Sequence, residues 1–523
     1  MTQNSGSLKA RYERLSTDRN AYLERGRDCA RLTIPTLLPP EGKTAAGRFP
    51  TPYQSLGARG VNNLAAKLLL ALLPPNSPFF RLVVDDATLL KLTGRNDMRA
   101  QVENALSGME RSVMSSIETS TIRTSAFEGL KLLLVTGNVL FYLAPEGGMK
   151  VFRLDRYVVK RDPMGNVLEI ITREDVSPME LPENIRAAVM ANKSANDNED
   201  TVEVYTCIKR TTNKWDVWQE ANGLELPASR GSYPLEKTPW IALRFVAVDG
   251  EDYGRGFVEE YLGDLQSLNA LRKAIVQGSA AAAKVLFLVK PNGSTKLRVL
   301  TESESGAVKE GNAEDVTVLQ MDKYADFKIA KDTCDTITSE LSFVFLLNTA
   351  IQRSGERVTA EEIRYMANEL EASLGGVYST LSQEFQLPLV QRVMFQMQRQ
   401  GKLPDLPEGT VKPAITTGIE AIGRGNDLTK LQQFMASLEQ LGPQVAPTYV
   451  NMGDLIKRTG ASLGIDMNGL IKTDEQIAAA EQQAQMQNML QTLGPNAVNQ
   501  LGGLAKQNMA NTQQTVPTPG QGQ

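Results

Sequence analysis

Few residues in this chain have the type and spacing that covalent chemistry requires. Histidine is absent from all 523 residues. That removes Ser-His-Asp and Cys-His catalysis, His-ligated zinc and imidazole proton transfer together. The three cysteines, Cys29, Cys207 and Cys334, are far apart, odd in number and form no CxxC pair. They fit a reduced folding environment rather than a disulfide framework. Gly42-Lys43-Thr44 has the ending of a phosphate-binding loop, but the glycine required five residues before Gly42 is Leu37, so nucleotide hydrolysis is not expected. Gly254-Arg255-Gly256 opens like a dinucleotide fingerprint, yet Glu259 stands where the third glycine belongs and no βαβ alternation surrounds it. A flexible helix entry is the plainer reading. Acidic clusters occur at Asp85-Asp86, at Asp249, Glu251 and Asp252, and at Glu259-Glu260. Without ligand spacing they read as solvated or ion-paired rather than as a Mg²⁺ centre. No cofactor and no metal site is expected.

What remains is charge. The polar loop Asn348–Thr359 carries Arg353, Glu356 and Arg357 between two helical stretches. Taken alone it reads first as an ordinary helix–helix connection. The functional alternative is a loop projecting into a cavity, with Arg353 and Arg357 meeting phosphates. Lys328 and Lys331 sit on the polar side of the preceding helix and could face the same cavity.

The elements that would position these groups are long. Residues 254–283 read as one helix, with Val258, Tyr261, Leu265, Leu268, Leu271 and Ile275 at three-to-four spacing. Residues 327–347 read as a second, with Ala330, Cys334, Ile337, Leu341 and Val344 on one stripe. At 1.5 Å per residue each spans about 30–40 Å. Between them KVLFLV, LRVL and DVTVLQM, separated by Gly293, Gly306 and Gly311, read as a small β module. Such an excursion needs the helices antiparallel and side by side, with the module at the tip of a stalk. The run Ala280–Ala283 would let a neighbouring helix approach closely.

Upstream, Ser7 is an N-cap for a helix from Leu8 to Leu32. Its interleaved arginines and carboxylates read as a solvated or subunit-facing surface. Further helices are expected from Thr51-Pro52 to Leu73, over Asp97–Glu118 and over Thr121–Val135, with a strand at residues 79–86 and another at VLFYLA after Gly137-Asn138. KVFRLDRYVVKRD and NVLEIITRED flank the turn Pro163-Met164-Gly165 as a hairpin; TVEVYTCIK, KWDVWQ and WIALRFVAV add strands. Residues 1–253 thus form an α+β part, helices first. A long helix follows from Ala360 to Gln400, kinked at Gly375-Gly376 with a bend allowed at Pro388. TVKPAIT is a strand that could return to the first part. Residues after Asp427 are helical, and the Gln-rich end reads as disordered. With 41% hydrophobic and 22% charged residues most of the chain should fold, and its formal net charge of −4 does not suit a basic nucleic-acid coat. Neither apolar stretch, Leu64–Leu73 or Phe127–Leu143, reads as membrane-spanning.

Taken together, YGRGFVEEYLGDLQSLNAL (253–271), SGERVTAEEIRYMANELEASLGGVYSTLSQEFQLPLV (354–390), TTGIEAIGRGNDLTKL (416–431) and PYQSLGARGVNNLAAKLLLALLPPNSPFFRL (52–82) resemble the portal proteins, or head-to-tail connectors, of short-tailed podovirus and autographivirus-type phages. The resemblance covers about residues 1–490. It implies a mostly helical α+β portal fold assembled as a ring of about twelve copies around a central channel. It also implies a division of the chain. Residues 1–254 and 359–426 would be the wing, 255–283 and 327–347 the two stem helices, 284–326 the clip and 348–358 the tunnel loop. Residues 427–490 would be the crown and 491–523 a disordered tail.

The implied function is structural, not enzymatic. The ring would sit at one capsid vertex and pass double-stranded DNA during packaging and ejection. It would dock the terminase large subunit and later the tail adaptor and nozzle proteins, and nucleate procapsid assembly with the major capsid, scaffold and internal core proteins. It would be made in the host cytoplasm and end in the virion, with no membrane partner. Within it Arg353, Arg357, Lys328 and Lys331 are the expected DNA-channel residues. The competing readings are another tail or collar component and, more remotely, a metal-dependent DNA-processing enzyme.

Overall fold

The computed structural model describes residues 7–42, 47–75, 78–84, 96–191, 201–282, 286–304, 306–319, 324–347, 369–374, 376–404 and 411–415. The chain divides into two units, Met1–Gly425 and Asn426–Gln523. In the second only Ala436, Gln483 and Gln485 are described, each helical.

The chain opens with α1 (Leu8–Leu32), α2 (Leu56–Leu72), β1 (Phe80–Val84), α3 (Asn96–Thr119) and α4 (Ile122–Thr136). A run of strands follows: β2 (Asn138–Leu143), β3 (Met149–Phe152), β4 (Tyr157–Arg161) and β5 (Val167–Val176). After α5 (Glu183–Ala191) come β6 (Val202–Arg210), β7 (Lys214–Ala221), β8 (Leu224–Glu225), β9 (Gly231–Pro234) and β10 (Trp240–Arg244). Then come α6 (Phe257–Glu260), α7 (Leu262–Ala282), β11 (Leu286–Val289), α8 (Leu297–Thr301), β12 (Val316–Leu319) and α9 (Tyr324–Val344). The described chain closes with α10 (Val377–Leu381), α11 (Leu387–Arg399) and β13 (Val411–Ile415). The expected α+β order is present.

Local chemistry accounts for the helix ends. Ser7 caps α1, its Oγ accepting from the Ala10 N–H at 3.3 Å, which satisfies one of the unpaired first-turn donors. Gly137 ends α4 in the left-handed region at φ 74°, open to glycine at no steric cost. The arginines of α1 are not simply solvated, as the sequence suggested. Arg19 is buried and donates to Tyr12 Oη at 2.8 Å and to the Tyr157 carbonyl at 3.1 Å. Arg11 pairs with Glu169 on β5 at 2.6 Å. They bind α1 to its own sheet.

The expected hairpin over 149–175 is instead two pairings. β3 joins β2 in the sheet β10-β2-β3, and only β4 pairs with β5, in the larger sheet β4-β5-β6-β7-β8 with β9 beside β7. The 3₁₀ turn Leu154–Arg156, with buried Leu154, separates the two strands. The turn itself is as expected, with Gly165 at φ 84°. α2 starts at Leu56, not at Thr51.

The core lies between α2, α4, β2 and α10–α11. Leu64, Leu68, Leu72, Leu133 and Phe141 are fully buried, each stabilising the fold by about 1.5–3 kcal/mol. Phe141 stacks on Phe385 at 5.1 Å. Tyr378 Oη donates to the Ala71 carbonyl at 3.0 Å, and Gln386 Nε2 donates to the Leu72 carbonyl, so the late helices seal the end of α2. The kink at the glycine pair is seen at Gly376, φ 87°. Near Pro388 the departure from α geometry is a π-type turn at Ser382–Gln386, just ahead of the proline. As expected, the late strand returns. β13 pairs antiparallel with β1 across Phe80↔Ile415 to Val84↔Val411.

Candidate functional site

Continuous with this core at its base is a helical hairpin, α7 and α9, with β11 and β12 between them. Contacts at both ends show that the helices run antiparallel. Near the base Phe257 and Tyr261 pack on Phe345, ring centroids 5.7 and 6.4 Å apart. Near the tip a Cβ on Gly278 would lie 2.5 Å from the Phe327 ring, so only glycine permits that approach. The interface is built from the two stripes legible in the sequence. Val258, Leu265 and Leu268 are buried from one helix and Cys334 and Leu341 from the other, with Leu271, Ile275 and Ile337 packed at the margin. The first helix is not continuous from residue 254. Tyr261 interrupts it between α6 and α7, where its ring turns into the aromatic cluster. The second begins three residues earlier than expected, at Tyr324, and ends at Val344.

The base is clamped by polar groups. Asn138 Oδ1 accepts from the Gly254 N–H at 2.8 Å and its Nδ2 donates to the Gly254 carbonyl at 2.9 Å. Arg255 joins Glu251 at 2.8 Å and Glu259 at 3.1 Å. Arg25 of α1 reaches Glu259 at 3.6 Å. Both guanidiniums lie over the Tyr22 ring. The hydrogen bond from Arg255 holds the Glu251 carboxyl below the usual range. Burial, then the Glu251 carboxylate, pushes the Tyr22 phenol up to about 12. The acidic and glycine residues that tempted a cofactor reading therefore form an ion-paired hinge between α1 and the hairpin.

At the tip β11 and β12 pair antiparallel from Leu286↔Leu319 to Val289↔Val316. LRVL is not a strand but the short helix α8. The module is tied by Asp315, which is buried and accepts from the Thr295 N–H at 3.1 Å and from Ser294 Oγ at 3.0 Å. These bonds hold its carboxyl below the ordinary value. Gly293 packs against that carboxyl; a Cβ there would lie 2.5 Å from its Cγ.

Of the four residues singled out for DNA contact, Lys328 and Lys331 lie exposed on α9. They are off the buried stripe, with no ion pair among the described residues. Arg353 and Arg357 lie outside the described residues, as does the loop Asn348–Thr359. The described residues on either side of segment 348–368 are both tied to one face of α2. Asn63 Nδ2 donates to the Phe345 and Leu346 carbonyls, both at 3.0 Å. Lys67 Nζ meets Glu369 at 3.3 Å. Phe345 covers Gly60, where a Cβ would come within 2.4 Å of its ring. Gly60, Asn63 and Lys67 are spaced i, i+3, i+7, one helix face. Sequence reading missed this triad. Its only signal was that spacing on a largely apolar helix that also carries Arg59 and Asn62.

The described residues hold no group of three or more Cys, Asp or Glu side chains placed to bind a metal ion. Burial pushes the Cys29 and Cys207 thiols up to about 12, far from a reactive thiolate. No described helix is long and apolar enough to cross a membrane.

The family model "Bacteriophage head to tail connecting protein" matches residues 5–471. The chain belongs to this family. It is 44% identical over 506 residues to the portal protein of Escherichia phage T7, covering 95% of this chain and 94% of that one. It is 45% identical to the portal protein of Enterobacteria phage T3, over 94% of this chain and 92% of that one. With the portal protein of Enterobacteria phage SP6 it shares 31% identity over 91% and 92%. Among solved structures, the neck of a native GTA particle overlaps 73% of this chain and 85% of its own, at TM-score 0.29 and 11% identity, too low to bear on architecture. The role that follows from family membership is a head-tail connector, a structural component of a short-tailed phage.

Proposed function

We propose that about twelve copies of the chain form a ring at one capsid vertex, a conduit for double-stranded DNA during packaging and ejection. The α7–α9 hairpin is the stem, and residues 284–326 at its tip are the clip. The clip docks the terminase large subunit first and tail adaptor and nozzle proteins afterwards. Residues 1–254 and 359–426 are the wing; 427–490 face the capsid interior and meet scaffold and core proteins during procapsid assembly. Hydrolysis is left to the terminase.

The observation that supports this most is the hairpin itself. A two-stranded module at the end of two antiparallel helices of 21 residues each is a projecting element with little core of its own. It gains its function from partners. The charge balance agrees. A ring of net acidic chains, about −48 for twelve copies, retains DNA weakly, and weak retention lets DNA slide. Arg353 and Arg357, with Lys328 and Lys331 as second contacts, supply a local grip repeated around the channel.

The test is the mass and shape of the purified full chain, by native mass spectrometry with negative-stain imaging. A hollow ring near twelve times 57.3 kDa, about 690 kDa, is expected. A monomer that stays monomeric at assembly concentrations would overturn the ring.

A further inference from the structure

Three cations gather on one aromatic ring without a counterion. Arg392, Phe395 and Arg399 lie on one face of α11 at i, i+3 and i+7 spacing. The Arg392 guanidinium stands 5.4 Å from the Phe395 centroid and that of Arg399 5.8 Å. Lys237 closes the 3₁₀ turn Leu235–Lys237 and brings its ammonium to 5.3 Å from the same centroid. The ring quadrupole attracts each cation, but the ring has no net charge with which to neutralise them. None of the three is ion-paired with a carboxylate among the described residues.

Arg392 builds this patch from below. It is 2% exposed, lies 5.2 Å from the Tyr233 centroid and donates from Nη1 to the Lys237 carbonyl at 3.2 Å. That bond ties the turn to α11 and sets Lys237 beside Phe395. The Arg392 Nε is buried with no hydrogen-bond partner. Burial holds its guanidinium below the ordinary value; the Tyr233 and Tyr142 phenols oppose this, Arg399 adds to it, and no carboxylate bears on it. A buried cation without a carboxylate is costly. Its place beneath two further cations fits a surface that an anion from outside completes. That surface is reachable: Arg399 is exposed, and Phe395 and Lys237 are half-buried.

The form of the patch selects the kind of anion. Exposed carboxylates border it. Glu236 precedes Lys237, and Glu146 follows Pro145, whose carbonyl accepts from Gln400 Nε2 at 3.4 Å. A DNA duplex carries one charge per about 1.7 Å of axis and is held by a continuous basic track, which these carboxylates interrupt. A peptide carboxylate fits better. Its two oxygens can accept from Lys237 and Arg399 together, while the apolar part of the peptide lies on the Phe395 ring.

We propose that Lys237, Phe395 and Arg399 form a docking site for an acidic peptide segment of a partner protein. All three belong to the unit Met1–Gly425, so the site is complete in one chain and stands apart from the ring reading.

The experiment titrates a fluorescein-labelled oligoglutamate peptide with the full chain and follows anisotropy. Lys237→Ala with Arg399→Ala should weaken binding by about ten-fold or more. Lys273→Ala, an exposed cation of the hairpin, should leave it unchanged. The charge-reversed chain, Lys237→Glu with Arg399→Glu, should lose oligoglutamate and take up oligolysine. Equal binding by wild type and the double alanine variant would overturn the site, as would no binding by wild type. A short DNA duplex that displaces the peptide, and itself binds the double variant more weakly, would assign the patch to nucleic acid and overturn the peptide reading. Asp405 and Glu408 lie outside the described residues. Binding that appears only after Asp405→Ala with Glu408→Ala would show that the chain's own carboxylates fill the patch, which also overturns the proposal.

Discussion

At the scale of single residues, the groups with chemical potential are engaged in holding shape. Arg255, Glu251 and Glu259 pair with one another, and Asp315 ties the tip turn. Asp315 gives a pH prediction. Its folded value is depressed, first by the Thr295 N–H and then by Ser294. Its contribution is therefore present above its ordinary range, about 3.9, and is lost as pH falls through the lower folded value. Hydrogen exchange in 286–319 should rise below about pH 4 in the wild type. Asp315→Asn should show the raised exchange already at pH 7; equal protection in variant and wild type at neutral pH would contradict the role. Gly137 gives a second prediction. It sits at φ 74°, and a Cβ there would lie 2.4 Å from the Arg255 backbone carbon. Gly137→Ala should cost more than the roughly 1–2 kcal/mol of left-handed strain alone, because backbone cannot yield as a side chain can. Thermal unfolding of the isolated chain reads this directly, and an unchanged midpoint would mean that the hairpin root relaxes freely. Gly137-Asn138 was legible in the sequence as a break. Its closeness to Gly254 was not, because 116 positions separate Asn138 from Gly254 and nothing local encodes that meeting.

At the scale of elements, what periodicity could report was reported. The stripes on α7 and α9 are an interaction between side chains three and four apart, so each helix shows its buried face in its own sequence. LRVL failed for the same reason. Four residues are too few to separate a strand from one helical turn, and the flanking Gly293 and Gly306 favoured the strand reading. The split of 149–162 between two sheets failed because alternation specifies a strand but not its partner. The α2 triad belongs to this scale too. Asn63 donates to the Phe345 and Leu346 carbonyls just past the end of α9, and Lys67 holds Glu369, one turn further on. Leu346 and Glu369, which bracket segment 348–368 in sequence, are thus held by side chains about one turn apart on one face of α2. Asn63→Ala should lose roughly 1–3 kcal/mol, because both carbonyls lose their side-chain donor. It should also raise trypsin cleavage at Arg353 or Arg357 in the assembled ring, while cleavage in residues 7–75 stays constant. A uniform rise across the chain would assign Asn63 to general stability instead.

At the scale of the whole molecule, a conduit for DNA can tolerate little affinity for what passes through it. Tight binding along the channel would stop translocation, since every neutralised phosphate adds about −0.9 to the log–log salt slope. The net charge of −4 per chain sets a repelling background, against which a few cations per copy act only where they come close to the DNA. In sequence Arg353 and Arg357 fall between Leu346 and Glu369, both of which are held by side chains of α2. Replacing both, Arg353→Ala with Arg357→Ala, should leave ring mass unchanged. Full-length DNA retained per particle should fall, and fall further as salt is raised, since the remaining contact is screened within about 8–10 Å. Particles from the double variant that package and retain the genome at wild-type yield across that salt series would take these arginines out of the channel's grip. Lys328 and Lys331, exposed on the neighbouring helix flank, would then be the residues to replace.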